Sequence, residues 1–235
     1  MSNEAAAAPH AVVTGSSSGI GRAIALHLLE EGWRVSGLDL AAPTLSHAGF
    51  THAAADLSSA EDIARAAAAL QDAGALVHAA GVLRVGPLGQ LDHAGGELMW
   101  RLHVDAATRL ADALVPAMAA RGHGRVVFVG SRVAHGMPGR GQYAATKAAL
   151  VALARSWAAE VAERGVTLNV VSPGATQTAM LQDPARAGSA PRLPPIGRLI
   201  QPAEIAALVA FLLSAPAAAI TGQDIAICGG ASLHR

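Results

Sequence analysis

Short runs of β-branched and apolar residues alternate along the chain with longer Ala- and Leu-rich stretches, and the alternation repeats from one end to the other. Parallel strands joined by crossover helices produce this rhythm, because a strand covered on both faces is apolar throughout while each helix buries one stripe. The runs predict strands near Ala11–Thr14, Arg34–Leu38, Thr51–Ala55, Leu76–Ala79, Val126–Val129, Thr167–Val171 and Asp224–Ile227. Helices fill most of the gaps, and the two longest are expected at roughly Gly95–Arg121 and Gln142–Arg164, each long enough to offer an outer face to a second subunit. The expected fold class is α/β, a doubly wound parallel Rossmann-type sheet of about seven strands with helices on both faces. No linker-like stretch divides residues 1–235, so a single domain is expected over all of them. The interval Ala175–Pro202 breaks the rhythm: it holds Pro184, Pro191, Pro194 and Pro195 and shows little helical period. It follows the C-terminal end of a strand, where open α/β sheets bind ligands, and so 175–202 reads as a substrate lid.

Composition narrows the partner. Seventeen basic residues against seventeen acidic ones leave no net charge, which excludes the electrostatic footprint of a nucleic-acid or membrane-surface binder and leaves a small molecule. Cys228 is the single cysteine, so no internal disulfide can form, and its apolar surroundings in sequence point to a buried, inert thiol in a reducing compartment. Met1–His10 carries no basic region, and no run of eighteen strongly apolar residues occurs without charge, glycine or proline. A soluble cytoplasmic protein with no signal peptide, no membrane span and no metal site is the expectation.

Candidate chemistry begins directly after the first predicted strand, with Thr14-Gly15-Ser16-Ser17-Ser18-Gly19-Ile20-Gly21 opening a helix. In such a turn Gly15 permits the tight bend, Gly19 lets the backbone approach a pyrophosphate, and Gly21 lets the helix pack closely, while the helix N-terminus supplies N–H donors. Asp39 stands eighteen residues after Gly21, at the end of the second strand. A carboxylate there accepts hydrogen bonds from the adenosine ribose hydroxyls and repels a 2′-phosphate, so NAD is the expected cofactor rather than NADP.

Tyr143 is the only tyrosine and Lys147 the only lysine, and they stand four residues apart. On a helix this spacing puts both side chains on one face. A free tyrosine, with a pKa of about 10, is a poor base near neutrality unless a neighbouring cation favours its phenolate, and Lys147 is that cation.

With Tyr143-Ala144-Ala145-Thr146-Lys147 in place, the chain resembles the short-chain dehydrogenase/reductase family over essentially its whole length. The glycine turn, Asp56-Leu57 after the third strand, Ala80-Gly81 after the fourth, Ser131 before the tyrosine, and Ser172-Pro173-Gly174 all occur in the family's order. The resemblance implies that Ser131 orients the substrate oxygen, that Tyr143 is the base, and that Lys147 also holds the nicotinamide ribose. It extends the cofactor site to Gly15, Ser17, Ser18, Gly19, Ile20, Gly21, Asp39, Leu40, Asp56, Leu57, Ala80, Gly81, Tyr143, Lys147, Pro173, Gly174, Thr176 and Thr178.

Three positions depart from the family pattern. His103 stands where the family usually has an asparagine that holds a water in the proton relay; an imidazole can donate and accept, so it either continues the relay or is a packed helix histidine. Tyr143 falls twelve residues after Ser131, one fewer than usual. His78 replaces the usual asparagine before Ala80-Gly81 and reads as a strand-end structural contact.

His78–Arg84, Asn169–Met180, Pro202-Ala203-Glu204-Ile205 and the Gln223–Ile225 tail with Gly229-Gly230 are similar to the 2,3-dihydro-2,3-dihydroxybenzoate dehydrogenase branch of the family. That resemblance implies oxidation of a ring alcohol in a cyclohexadiene carboxylate to an aromatic product, within secondary-metabolite biosynthesis, by a homo-oligomer, the family's tetramer. A carboxylated substrate needs a cation, for which Arg84 is the first candidate and Arg140, in the loop before Tyr143, the second; Ser131 and Tyr143 complete the expected substrate site. The competing readings are a 3-oxoacyl carrier-protein reductase, which would favour NADPH, and a catalytically inactive NAD-binding sensor or scaffold.

Overall fold

The computed structural model describes residues 8–182 and 193–233. Seven strands, β1 (His10–Thr14), β2 (Arg34–Asp39), β3 (Phe50–Ala54), β4 (Ala75–His78), β5 (Gly124–Val129), β6 (Val166–Pro173) and β7 (Asp224–Ile227), form one sheet in the order β3-β2-β1-β4-β5-β6-β7. Every pairing is parallel. All the strands expected from the apolar runs are present, their ends moved by a residue or two.

Among the described residues six helices flank the sheet: α1 (Gly19–Glu30), α2 (Ala60–Ala68), α3 (His93–Trp100), α4 (Ala106–Ala120), α5 (Gly141–Val161) and α6 (Pro202–Leu213). The strands read as unbroken apolar runs because alternate residues serve two cores. Val12, Leu76, Val126, Phe128, Leu168 and Val170 pack with α2, α4 and α5, whereas Ala11, Val13, Val77, Val127 and Val171 pack with α1 and α6. Each fully buried Leu or Phe in these layers contributes about 1.5–3 kcal/mol relative to exposure.

The sequence predicts one helix over Gly95–Arg121, and here the structure corrects it. The helix is continuous in path but opens into a π-helical turn at Arg101–Asp105, between α3 and α4. A π turn has no strong local sequence signature, and this one is stabilised by tertiary contacts described below. Between β2 and β3, residues 40–49 form no helix, a gap of the kind the expectation of helices in most gaps allows.

Chain order reverses across the β1–β4 pair, since β2 and β3 lie to one side and β5 to β7 to the other. In an open α/β sheet this switch point, at the carboxyl ends of the strands, is where a crevice forms. Thr14 and His78 are register partners there.

Candidate active site

The glycine turn lies at the crevice. Gly15 has φ +69°, and a Cβ on it would lie 3.0 Å from the backbone of Ala80, so the turn requires glycine both for its conformation and for its approach to β4. A Cβ on Gly21 would collide with the Gly15 carbonyl oxygen, which explains why α1 can start so close to β1. Ser18 precedes α1 in extended conformation without its side chain capping the helix. The Cβ that Gly19 lacks would contact Thr178, so the turn faces the segment after β6.

At the end of β2 the Asp39 carboxylate is half-buried. Its Oδ2 accepts the Ser17 N–H and its Oδ1 accepts the Ala41 N–H, each at 2.9 Å. A carboxylate has about four acceptor positions, so lone pairs remain for ligand hydroxyls. Leu40 is exposed beside it, while Leu57 is buried in the core and Asp56 accepts the Ser58 N–H and hydroxyl at 2.8 and 2.7 Å.

Thr14 and His78 tie the two central strands together. The Thr14 Oγ1 accepts the N–H groups of Ala79 and Ala80 at 3.0 Å each, which commits its own hydrogen to Nδ1 of His78, also at 3.0 Å. The Nε2–H of His78 then donates to the Leu102 carbonyl at 3.0 Å, inside the π turn. Burial first, and the Lys147 charge second, lower the His78 pKa from 6.5 to about 3.

A cavity of about 610 Å³ opens beside this turn and collects the predicted residues from distant parts of the chain. Ile20, Gly81, His103, Ser131, Tyr143, Lys147, Pro173, Gly174, Thr176 and Thr178 all line it. The Ser131 Oγ accepts the Val133 N–H at 3.2 Å, which leaves its hydrogen for another acceptor. Lys147 is buried, donates to the Val129 carbonyl at 2.9 Å, and lies 5.8 Å from the centroid of the Tyr143 ring. Burial lowers its pKa from 10.5 to about 7.

Arg84 and His103 stand apart from the other candidate residues. Arg84 is not among the residues lining the cavity: its backbone N–H points to the Met99 sulfur at 3.3 Å and its Nη1 folds back onto the Leu83 carbonyl at 3.0 Å. Arg140 does line it, together with Arg132, which the sequence reading overlooked. The signal was available, since Arg132 immediately follows the strand-end Ser131. His103, which the sequence leaves either as a relay group or as a packed helix histidine, has both ring nitrogens engaged by the protein, Nε2 by Val82 N–H at 3.1 Å and Nδ1 by Thr146 Oγ1 at 2.8 Å.

Of the lid predicted over 175–202, residues 183–192 lie outside the described residues. The flanking Ala175, Met180 and Leu181 line the cavity, and Thr176 pairs with Ile200 in a parallel bridge. Among the described residues no group of His, Cys, Asp or Glu could hold a metal ion, and no helix is long and apolar enough to cross a membrane.

The residues at the crevice fit a dinucleotide: a turn whose missing Cβ atoms leave a cradle, an open helix N-terminus, and a carboxylate at the end of β2. Known proteins agree. Residues 15–232 match the family model described as enoyl-(acyl carrier protein) reductase. The chain is 37% identical over 234 residues to the 3-oxoacyl-acyl-carrier-protein reductase FabG of Escherichia coli (strain K12), covering 94% of this chain and 96% of the relative. It is also 37% identical over 238 residues to the 2,3-dihydro-2,3-dihydroxybenzoate dehydrogenase of the same organism, with the same coverage. Among solved structures, a short chain dehydrogenase/reductase family protein superimposes with a TM-score of 0.89 at 35% identity, covering 96% of this chain and 98% of that one. An actinorhodin polyketide ketoreductase with NADPH gives 0.86 at 27% identity, over 97% and 98%. With its sheet order, its glycine turn and its Tyr-Lys pair at one cavity, the chain belongs to the short-chain dehydrogenase/reductase family, the nicotinamide-dependent oxidoreductases.

Proposed function

We propose that the enzyme oxidises a secondary alcohol on a carboxylated cyclohexadiene ring with NAD. The observation that carries this reading is the charge of the cavity lining: among the described residues that line it, Arg132, Arg140 and Lys147 are present and no Asp or Glu is. An anionic substrate group fits such a lining, and a planar carboxylate suits the forked donors of arginine. Similarity to 2,3-dihydro-2,3-dihydroxybenzoate dehydrogenase supports the ring alcohol. Asp39 supports NAD, because the carboxylate disfavours a 2′-phosphate.

In this reading the glycine turn and the α1 N-terminus hold the pyrophosphate, Asp39 the adenosine ribose, and Lys147 the nicotinamide ribose. The nicotinamide held there would supply the acceptor for a hydride from the carbinol carbon. Ser131 donates its available hydrogen to the substrate oxygen and so sets its position. Tyr143, as phenolate, removes the hydroxyl proton, and the neighbouring Lys147 ammonium favours that phenolate. Arg132 and Arg140 hold the carboxylate on the loop between Ser131 and Tyr143, which orients the ring against both. Loss of the ring C–H and O–H hydrogens leaves an enone that tautomerises to the aromatic product, making oxidation effectively one-way.

A second reading, 3-oxoacyl thioester reduction, is favoured by the FabG relatives at equal identity. Both are tested by one panel: 2,3-dihydro-2,3-dihydroxybenzoate and the neutral ring diol with NAD, and an acetoacetyl thioester with NADPH and NADH. Turnover of the carboxylated diol well above the neutral one supports the proposal; thioester reduction alone, with NADPH, replaces it.

A further inference from the structure

His103 sits at the centre of the π turn with no exposed surface, yet it touches three separate parts of the site. Its Nε2 can only accept, because the group facing it is the Val82 backbone N–H. The ring hydrogen is therefore on Nδ1, which donates to Thr146 Oγ1; the Thr146 hydroxyl donates in turn to the Tyr143 carbonyl at 2.8 Å. Donors and acceptors alternate without conflict from the loop after β4, through the π turn, to the first turn of α5. The imidazole also stands edge-on to the Tyr143 ring, with centroids 5.6 Å apart and planes at 86°. On its other side the ring fills the space over Gly81, where a Cβ would lie 2.5 Å from Nε2.

We propose that His103 is a positioning residue, a neutral strut that holds the Tyr143–Lys147 turn of α5 against the Gly81–Val82 loop, in place of the water-holding role of an asparagine. The proposal rests on the reading that Tyr143 and Lys147 carry the chemistry. The strut works only while the ring is neutral, since an imidazolium would aim an N–H at the Val82 N–H. The titratable groups facing it are Lys147 and Tyr143 from α5 and His78 from β4; burial first, then Lys147 and His78, hold its pKa well below 6.5. His78 supports the arrangement from beneath, in the opposite tautomer, by taking the Leu102 carbonyl that lies in the wide turn. Displacing the reacting groups by about 1 Å is enough to slow a reaction roughly a hundredfold, which is the scale on which such a strut acts.

The test joins spectroscopy to kinetics on the full chain. In ¹⁵N-histidine-labelled protein, His103 should carry its hydrogen on Nδ1 and His78 on Nε2, and neither should titrate between about pH 5 and 8. With 2,3-dihydro-2,3-dihydroxybenzoate, or the acetoacetyl thioester if that is the compound turned over, Thr146→Val should lower kcat roughly ten- to a hundredfold while KM for the dinucleotide changes little. Thr146→Ser should restore most of the loss, and adding Thr146→Val to His103→Asn should cause little further loss. A His103 that titrates near its ordinary pKa, or the other tautomer, overturns the proposal. So does full kcat in Thr146→Val when Tyr143→Phe is inactive. Full activity in Tyr143→Phe would instead overturn the assignment of the base on which the proposal stands.

Discussion

Asp39 closes the mouth of the glycine turn by accepting the Ser17 N–H at 2.9 Å, so the carboxylate that would meet the adenosine ribose is itself held by the turn that would meet the pyrophosphate. Cofactor choice and turn geometry are thus coupled through one side chain. Asp39→Asn removes the charge and, because an amide has one oxygen, leaves an acceptor for only one of the two N–H groups of Ser17 and Ala41. We expect the ratio of kcat/KM for NAD over NADP to fall roughly tenfold to a hundredfold, the loss of about 1.5–3 kcal/mol for a charge-assisted hydrogen bond. Steady-state kinetics with both cofactors measure it, and a wild-type enzyme that already prefers NADP removes the basis for the assignment.

The two cavity arginines should separate from Arg84 by substrate charge. Arg132→Ala and Arg140→Ala are each expected to lose about 2–4 kcal/mol of transition-state binding with the carboxylated diol, roughly thirtyfold to thousandfold in kcat/KM. The neutral diol should lose much less, and Arg84→Ala should discriminate between the two substrates hardly at all. Equal losses on both substrates in the Arg132 and Arg140 variants would assign these side chains to loop structure and end the carboxylate reading.

Acid stability should report the buried histidines. His78 and His103 have pKa values held below the unfolded value of 6.5, to about 3 for His78. Below pH 6.5 the unfolded chain therefore takes up protons that the folded chain does not, so stability is complete above that pH and falls as the pH drops towards 3. For His78 the slope is about 1.4 kcal/mol per pH unit, or about 2 kcal/mol between pH 7 and 5, and His103 acts in the same direction. Urea midpoints at pH 7, 6 and 5 measure this; equal midpoints at all three would mean that these rings accept protons in the folded state.

The strands were legible because a parallel strand buried on both sides is apolar at every position, and Val126–Val129 or Leu168–Val171 can be read without knowing what covers them. The cofactor turn was equally legible, since glycines at 15, 19 and 21 answer to backbone geometry and to a close approach by Ala80. The break at Arg101–Asp105 was not. Its Leu102 carbonyl is taken by the ring of His78, from a strand more than twenty residues earlier, a contact that no local pattern announces. The place of Arg84 was not legible for a related reason: proximity in sequence to Gly81 says nothing about the direction in which the loop turns, and Arg84 is absent from the cavity lining while its Nη1 donates to the Leu83 carbonyl. Arg132 lies one residue beyond a recognised motif position, where attention to Ser131 alone passed over it.

The Thr14 hydroxyl bears on the thermodynamics of ligand entry. Holding a residue's backbone in one conformation costs about 1–2 kcal/mol of entropy, and a pocket that is ordered only on contact subtracts that amount from affinity. Ala79 and Ala80, where the β4 segment turns beneath the crevice, are fastened to β1 by this one oxygen, with the His78 ring completing its valence. Their ordering is therefore part of the folding equilibrium. A ligand arriving at this edge of the sheet would meet Ala79 and Ala80 already ordered by the fold, and association against them would carry no cost for ordering them.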